Sequence, residues 1–351
     1  MIAATMPTQR PSDARLLVVD ASGHVSHRAR VELAEVLRPG DLVVANDAAT
    51  IPASLSGRHD RSGRPIEIRL AARRSVDARD PSRFRAVLFG EGDFRTPTEQ
   101  RPLPPEVRIG DHLTLGSLAA TITALDHPRL VDVAFDGTAA HVWEGIAREG
   151  RPIQYAHVPT PLRLWDVWTP IAGPPVALEP PSAGFVLDFR TLGALHARGI
   201  AVHTLTHAAG LSSTGDPALD AMFPLDEPYE IPAATAVAIH RARREHRRVI
   251  AIGTTVVRAL ESSARAHGRV RPGPGLASLR IGPRTDLRVV DAIVSGTHER
   301  GTSHHALLSA FTDDATLARA DEALEGARYR THEFGDSCLV ERRLAEIALA
   351  V

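Results

Sequence analysis

Apolar and polar positions change rhythm twice along this chain. Before about residue 56 and again from about residue 189, short apolar runs alternate with helix-spaced stretches; between them lie short alternating runs broken by turn residues. Arg15–Asp20 (R-L-L-V-V-D) predicts a strand and hairpin, with the turn at Ser22 and Gly23. Val31–Leu37 has helical spacing and stops at Pro39 and Gly40, after which Asp41–Ala45 (D-L-V-V-A) predicts a buried strand that delivers Asn46 and Asp47 to its end. From about Leu55 to Arg151 the runs Ile66–Leu70, Phe84–Phe89, His112–Leu115, Ala119–Leu125 and Leu130–Phe135 are separated by Gly, Pro and Asp clusters. That texture predicts a small antiparallel barrel.

The stretch from Gly150 to Pro181 is rich in proline and holds Trp165 and Trp168, two of the three tryptophans. It reads as an extended return connection, because the aromatics give it surface to bury. Beyond it helix and strand alternate: helix Leu192–Arg198, strand Ile200–Leu205, helix Ala233–Arg244, strand Val249–Ile252, helix Val256–Ala266, strand Leu287–Val294, helix Ser303–Phe311 and helix Ala315–Gly326. Such alternation predicts an α/β fold, a largely parallel sheet covered by helices, interrupted by the inserted β-barrel. The expected division is a discontinuous α/β domain at residues 1–56 and 152–351, with the barrel at 57–151.

Ligands on such sheets sit at the carboxyl ends of strands. Four of those ends carry polar residues: Asn46 with Asp47; Thr206 with His207 and Gly210; Gly253 with Thr254 and Thr255; Ser295 with Thr297 and His298. In R-V-I-A-I-G-T-T-V-V-R-A-L-E (Arg248–Glu261) a buried strand turns at Gly253 into a helix. The first N–H groups of a helix lack internal partners and its dipole favours negative charge, so this turn can seat an anion. Arg258 and Glu261, three apart, are expected to share a helix face, with Glu261 orienting Arg258 toward a carboxylate or phosphate. The competing reading is an ordinary capped helix with a surface ion pair. Asn46 can read an amide or hydroxyl edge; Asp47 is either a base or ribose contact, or a turn residue binding its own backbone. His207 and His298 are candidate proton carriers, with a hydrogen-bonded structural histidine as the alternative for each.

Composition narrows the chemistry. Hydrophobic residues make up 43% of the 351 and charged residues 24%, which excludes wholesale disorder. Net charge is −1, so any nucleic-acid contact needs a local patch. The densest basic run, His240–Arg248, reads either as a phosphate contact or as a solvated helix end. There is no lysine, which excludes Schiff-base catalysis through that residue. The lone Cys338 excludes an internal disulfide and reads as a small buried hydrophobe. The 17 histidines fall in no helical metal-ligand frame, so no metal is expected. No membrane span or secretion leader is read from the sequence, and a cytoplasmic location is expected.

The ordered motifs resemble the S-adenosylmethionine:tRNA ribosyltransferase-isomerase family nearly end to end. They are R-L-L-V-V-D at Arg15, L-R-P-G-D-L-V-V-A-N-D at Leu37, I-P-A-S-L at Ile51, P-S-A-G at Pro181, T-H-A-A-G at Thr206, Y-E-I-P at Tyr229, R-V-I-A-I-G-T-T-V-V-R-A-L-E-S at Arg248, V-V-D-A-I-V at Val289, and Y-R with F-G-D-S at Tyr329 and Phe334. The resemblance implies an α/β domain with an inserted barrel. It also implies a reaction: the ribosyl part of S-adenosylmethionine, a co-substrate, passes to a 7-aminomethyl-7-deazaguanine at the tRNA wobble position and is isomerised to epoxyqueuosine, with adenine and methionine released. On that reading Asp47, His207 and His298 are catalytic, while Asn46, Gly210, Gly253, Thr254, Thr255, Arg258, Glu261, Asp291 and Ser303 bind substrate; a monomer is expected.

Departures from the family pattern cluster near the expected pocket. N-D-T-R is here Asn46–Ala49, I-P-A-R-L has Ser54 for arginine, H-V-G-x-G-T-F is His207–Ser213, T-N-F-H-L-P-x-S is Ser295–Ser303, and the histidines before Y-E-V-P are Met222 and Leu225. Lost arginines weaken phosphate or carboxylate contacts. Two alternatives therefore stand beside the family reaction: a diverged paralogue with another acceptor, and a non-catalytic RNA-binding module.

Overall fold

In the computed structural model, which describes residues 1–343, the chain builds a mixed sheet and a closed barrel. Strands β1 (Arg15–Val19) and β2 (Val25–Ala29) form a hairpin, and β3 (Leu42–Asn46) follows, buried along its whole length as its apolar run requires. The chain then leaves for β4 (Ser54–His59), β5 (Pro65–Ala72), β6 (Arg83–Phe89), β7 (His112–Leu115), β8 (Leu118–His127) and β9 (Leu130–Phe135). These close a barrel in the order β8-β9-β6-β5-β4-β7, each neighbour antiparallel. The barrel begins at Ser54, already paired with Arg69, three residues before the boundary expected at 57. Closure needs Gly57, since a Cβ there would meet the Thr114 carbonyl oxygen at 2.0 Å. Helix α1 (Ala139–Glu149), N-capped by Thr138, covers the barrel with Val142 and Ile146.

The proline-rich return is held as extended chain: Trp168 Nε1 donates to the Thr50 carbonyl at 2.8 Å, and Pro175–Ala177 pairs parallel with Ala49–Thr50. There follow α2 (Phe189–Ala197), β10 (Ala201–His207), β11 (Glu227–Ile231), α3 (Ala233–Arg244), β12 (Val249–Ile252), α4 (Thr254–His267), β13 (Gly273–Ala277), β14 (Ala292–Gly296), α5 (Ser303–Leu308), α6 (Asp314–Gly326) and β15 (Ser337–Glu341). The sheet order is β13-β11-β10-β3-β12-β14-β15-β1-β2. Helices α3, α4 and α6 bury one of its faces through residues such as Ile239, Leu260 and Leu324, and Leu195 of α2 packs on the other.

Two expected elements are shorter. The helix expected at Val31–Leu37 is a single turn at Leu33–Val36. The strand expected from Leu287 starts only at Ala292, because the N–H groups of Arg288, Val289 and Val290 bond the Glu261 carboxylate instead of a neighbouring strand.

Strands β10, β3, β12 and β14 are mutually parallel, so their carboxyl ends share one rim. Strands β11 and β15 run the other way and bring their amino-terminal residues to that rim. The barrel adjoins it: Leu211 N donates to the Ala71 carbonyl at 3.0 Å, and Leu178, Leu211, Leu219 and Phe223 extend the barrel core.

Candidate active site at the strand rim

Several residues expected to bind substrate instead lock the rim together. The Asn46 side chain is fully used: Nδ2 donates to the His207 carbonyl at 2.9 Å, and Oδ1 accepts from His207 N at 2.9 Å and Ala48 N at 3.1 Å. It staples β3 to β10 and is 2% exposed, so the expected reading of a ligand edge is withdrawn. Arg258 and His207 converge on Glu227, a residue the strand-end rule does not find because it opens the antiparallel β11. His207 Nε2 lies 2.9 Å from Glu227 Oε2, Arg258 Nη1 donates to the same oxygen, and Gly210 N donates to Oε1 at 2.6 Å. Burial works to raise the Glu227 pKa, but Arg258 and His207 override it and pull the carboxyl down to about 2.

The remaining Arg258 donors go to the carbonyls of Leu225, Ala277 and Leu279, so the guanidinium is not free for a substrate anion. Nor does Glu261 orient it: that carboxylate is spent on three backbone N–H groups. His207 is fully buried and Gly210 has given its N–H to Glu227, which removes both from direct contact with a ligand. Asp291 precedes β14 and so lies at the opposite end of the sheet, accepting from Val249 N at 2.9 Å and Arg243 at 3.3 Å. Ser303 is exposed in the first turn of α5.

What stays open at the rim is Asp47, Thr254, Thr255 and His298, on the ends of three adjacent strands. Asp47 is half-buried and accepts the Thr206 hydroxyl at 2.7 Å. Gly253 takes φ +93°, a left-handed value that favours glycine, and caps α4 without a side-chain bond, leaving the first N–H groups of the helix and the half-buried Thr254 and Thr255 facing out. His298 stacks on His304 with centroids 4.4 Å apart. Burial first, then the neighbouring imidazoles, hold His298 well below the usual histidine value, and burial lowers His304 too. Both are therefore neutral bases at pH 7. The adjacent His305 points away, to Asp321 on α6 at 3.1 Å.

The rim also gathers residues that strand-end reasoning missed. Tyr155 and His157, from the proline-rich return, stack 6.2 Å apart, and His157 stacks on His332 at 4.2 Å. His157 Nε2 lies 3.0 Å from Glu333 Oε2, and Tyr155 Oη lies 2.5 Å from Glu179 Oε1. The sequence signals near them are the proline-rich return and the Y-R and F-G-D-S motifs that flank His332 and Glu333. Ser54, where the family pattern has arginine, donates to Glu67 at 2.9 Å, and Arg69 and Arg101 hold that same carboxylate. Cys338 is buried, with its thiol pushed up to about 12 by desolvation. Among the described residues no group of three or more His, Cys, Asp and Glu side chains forms a metal site, and no helix is long and apolar enough to cross a membrane.

The family model described as queuosine biosynthesis protein matches residues 1–340. The chain belongs to the queuosine biosynthesis protein family. Its curated relatives include the S-adenosylmethionine:tRNA ribosyltransferase-isomerase of Symbiobacterium thermophilum, 30% identical over 96% of this chain and 95% of that one. The Methylobacterium sp. protein of the same name is 33% identical over 95% and 93% of the two chains. A solved S-adenosylmethionine tRNA ribosyltransferase from Thermotoga maritima shares the fold, with a TM-score of 0.51, 22% identity and 96% of each chain covered. For this queuosine biosynthesis family member, the α/β sheet with its small barrel is thus the family fold.

Proposed function

We propose that this protein transfers and isomerises the ribosyl moiety of S-adenosylmethionine onto the 7-aminomethyl-7-deazaguanine at the wobble position of tRNA, giving epoxyqueuosine, as a cytoplasmic monomer. The observation that carries the reading is kinship over 95–96% of the chain with relatives named S-adenosylmethionine:tRNA ribosyltransferase-isomerase. The rim supports it chemically. Loss of a proton beside the positively charged sulfonium needs a neutral base near the substrate, and His298, half-buried at the rim and kept uncharged by burial, has that character. The uncapped start of α4 with Thr254 and Thr255 suits a carboxylate or the ribose hydroxyls. Asp47, fixed by Thr206, holds a second polar edge of the sugar. Arg258 and His207 act at one remove, keeping Glu227 and the Gly210 turn in place.

The test is incubation with S-adenosylmethionine and precursor-bearing tRNA. Release of adenine is expected, and its absence across pH and salt rejects the reading. The departures at Met222 and Leu225 favour one alternative, the same donor with a different acceptor: Leu225 packs against the barrel core, where no imidazole is offered to an acceptor base. In that case calorimetry detects binding of the donor and none of tRNA.

A further inference from the structure

We propose that Glu179 is the acid that protonates the departing adenine, handing over a proton it shares with Tyr155. The inference rests on the proposed ribosyl transfer and adds to it a residue that the strand-end pattern does not reach.

Geometry puts a shared proton on the contact between Tyr155 and Glu179. Tyr155 Oη lies 2.5 Å from Glu179 Oε1 and 3.2 Å from the Ser213 carbonyl oxygen. A phenol has one hydrogen, and a carbonyl can only accept. The phenol hydrogen reaches either Glu179 or Ser213; turned to Ser213, it leaves the short contact to be bridged by a proton on the Glu179 carboxyl. The groups facing Glu179 come from four elements. Tyr155 comes from the return segment, with His157 stacked on it; Ser212 comes from the loop after β10; Glu333 comes from the turn before β15, beside His332; and Arg69 of β5 lies under the Tyr155 ring, 5.7 Å from its centroid.

Burial raises the Glu179 pKa to about 7 and the Glu333 carboxylate adds to it, while the donors from Tyr155 and Ser212 oppose it. His157 engages Glu333 at 3.0 Å and keeps it ionised, so of two neighbouring carboxyls one is charged and the other holds the proton. Glu179 is half-buried, and it sits two residues past the Pro175–Ala177 strand and three before the Ser182 turn, whose Ala183 lies against Gly253.

The step balances as follows. The C1′–N9 bond of the nucleoside breaks, its electron pair stays on adenine, and a ring-oxygen lone pair forms a C1′=O4′ bond, so the ribosyl part carries the positive charge until a nucleophile adds. The Glu179 O–H proton goes to a ring nitrogen, so adenine leaves neutral and a carboxylate remains, which the half-buried position of Glu179 allows to be recharged from solvent. An acid whose pKa lies near the working pH suits this transfer, and such groups contribute roughly 10²- to 10⁴-fold to rate.

The experiment measures adenine release by the wild-type, Glu179→Gln and Tyr155→Phe proteins across pH, with thermal melts to establish that each variant is folded. Wild-type turnover is expected to fall as pH rises through about 7. In Glu179→Gln, kcat is expected to drop roughly 10²-fold or more without that alkaline limb and with the donor KM unchanged; in Tyr155→Phe the limb is kept but displaced along the pH axis. A folded Glu179→Gln protein that keeps the wild-type rate and limb overturns the proposal alone. A wild-type protein that releases no adenine overturns it together with the proposed function.

Discussion

Glu227 shows how much of this site is built from one residue. Its carboxylate is shared by His207, Arg258 and the Gly210 backbone, all buried, so the charge is matched and the oxygens are satisfied. Removing that charge leaves a guanidinium buried without its counter-ion, a change that costs about 3–5 kcal/mol. Urea unfolding of Glu227→Gln at pH 7 is expected to report a loss of that order, and adenine release should fall with it. The pH dependence has a definite sign. The folded carboxyl is depressed to about 2 from 4.5, so its contribution is complete above pH 4.5 and disappears as pH falls toward 2. The variant should lose that slope; a wild-type-like slope in Glu227→Gln would show that other groups supply it. Asn46 makes a related point, because its strand-end position suggests a ligand contact while its side chain bridges two strands.

At the scale of elements, the rim depends on how closely the barrel approaches the sheet. Gly210 sits at that seam, where a Cβ would meet the Ala71 carbonyl oxygen at 2.4 Å. The obstacle is backbone and cannot turn aside, so Gly210→Ala has to open the seam. A loss of about 1–3 kcal/mol and a larger fall in activity are expected, measured by unfolding and by adenine release. Unchanged activity would mean that the seam does not shape the site. The sheet and barrel were legible because apolar period and turn residues encode them locally: β3, β12 and β9 begin within a residue of where the pattern predicts. The strands left out are β4, β11, β13 and β15. Gly57 in β4, the Gly-Pro-Gly start of β13, Pro228 in β11 and the polar ends Ser337 and Glu341 of β15 mute the strand signal. Losing two antiparallel strands also concealed part of the site, since Glu227 opens β11 and His332 and Glu333 lie in the turn that leads into β15. Position along helix α4 did not reveal partners either: Arg258 and Glu261 are three apart, yet each is claimed by tertiary neighbours.

Across the whole molecule, the rim lies beside the barrel, whose core is extended by Leu178, Leu211, Leu219 and Phe223 from the larger unit. The rim's wall of His298, His304 and His332 is held neutral, principally by burial, with folded values below 6.5. For a base with a depressed pKa the unfolded chain binds more protons, so stability rises with pH up to about 6.5 and is withdrawn as pH falls below it. Protonated imidazoles would also repel the sulfonium of S-adenosylmethionine, a cation, so the same titration should weaken donor binding. Both effects are checked by thermal melts from pH 5 to 8 with and without the donor. At pH 7.5 a donor present at 100 times its Kd stabilises the fold by about 2.7 kcal/mol. Near pH 5 that increment should shrink along with the baseline stability. His298→Ala should flatten both dependences. If the stabilisation by donor stays constant across this range, the cation does not lie against the histidine wall, and the donor must be sought on the Asp47 side of the rim.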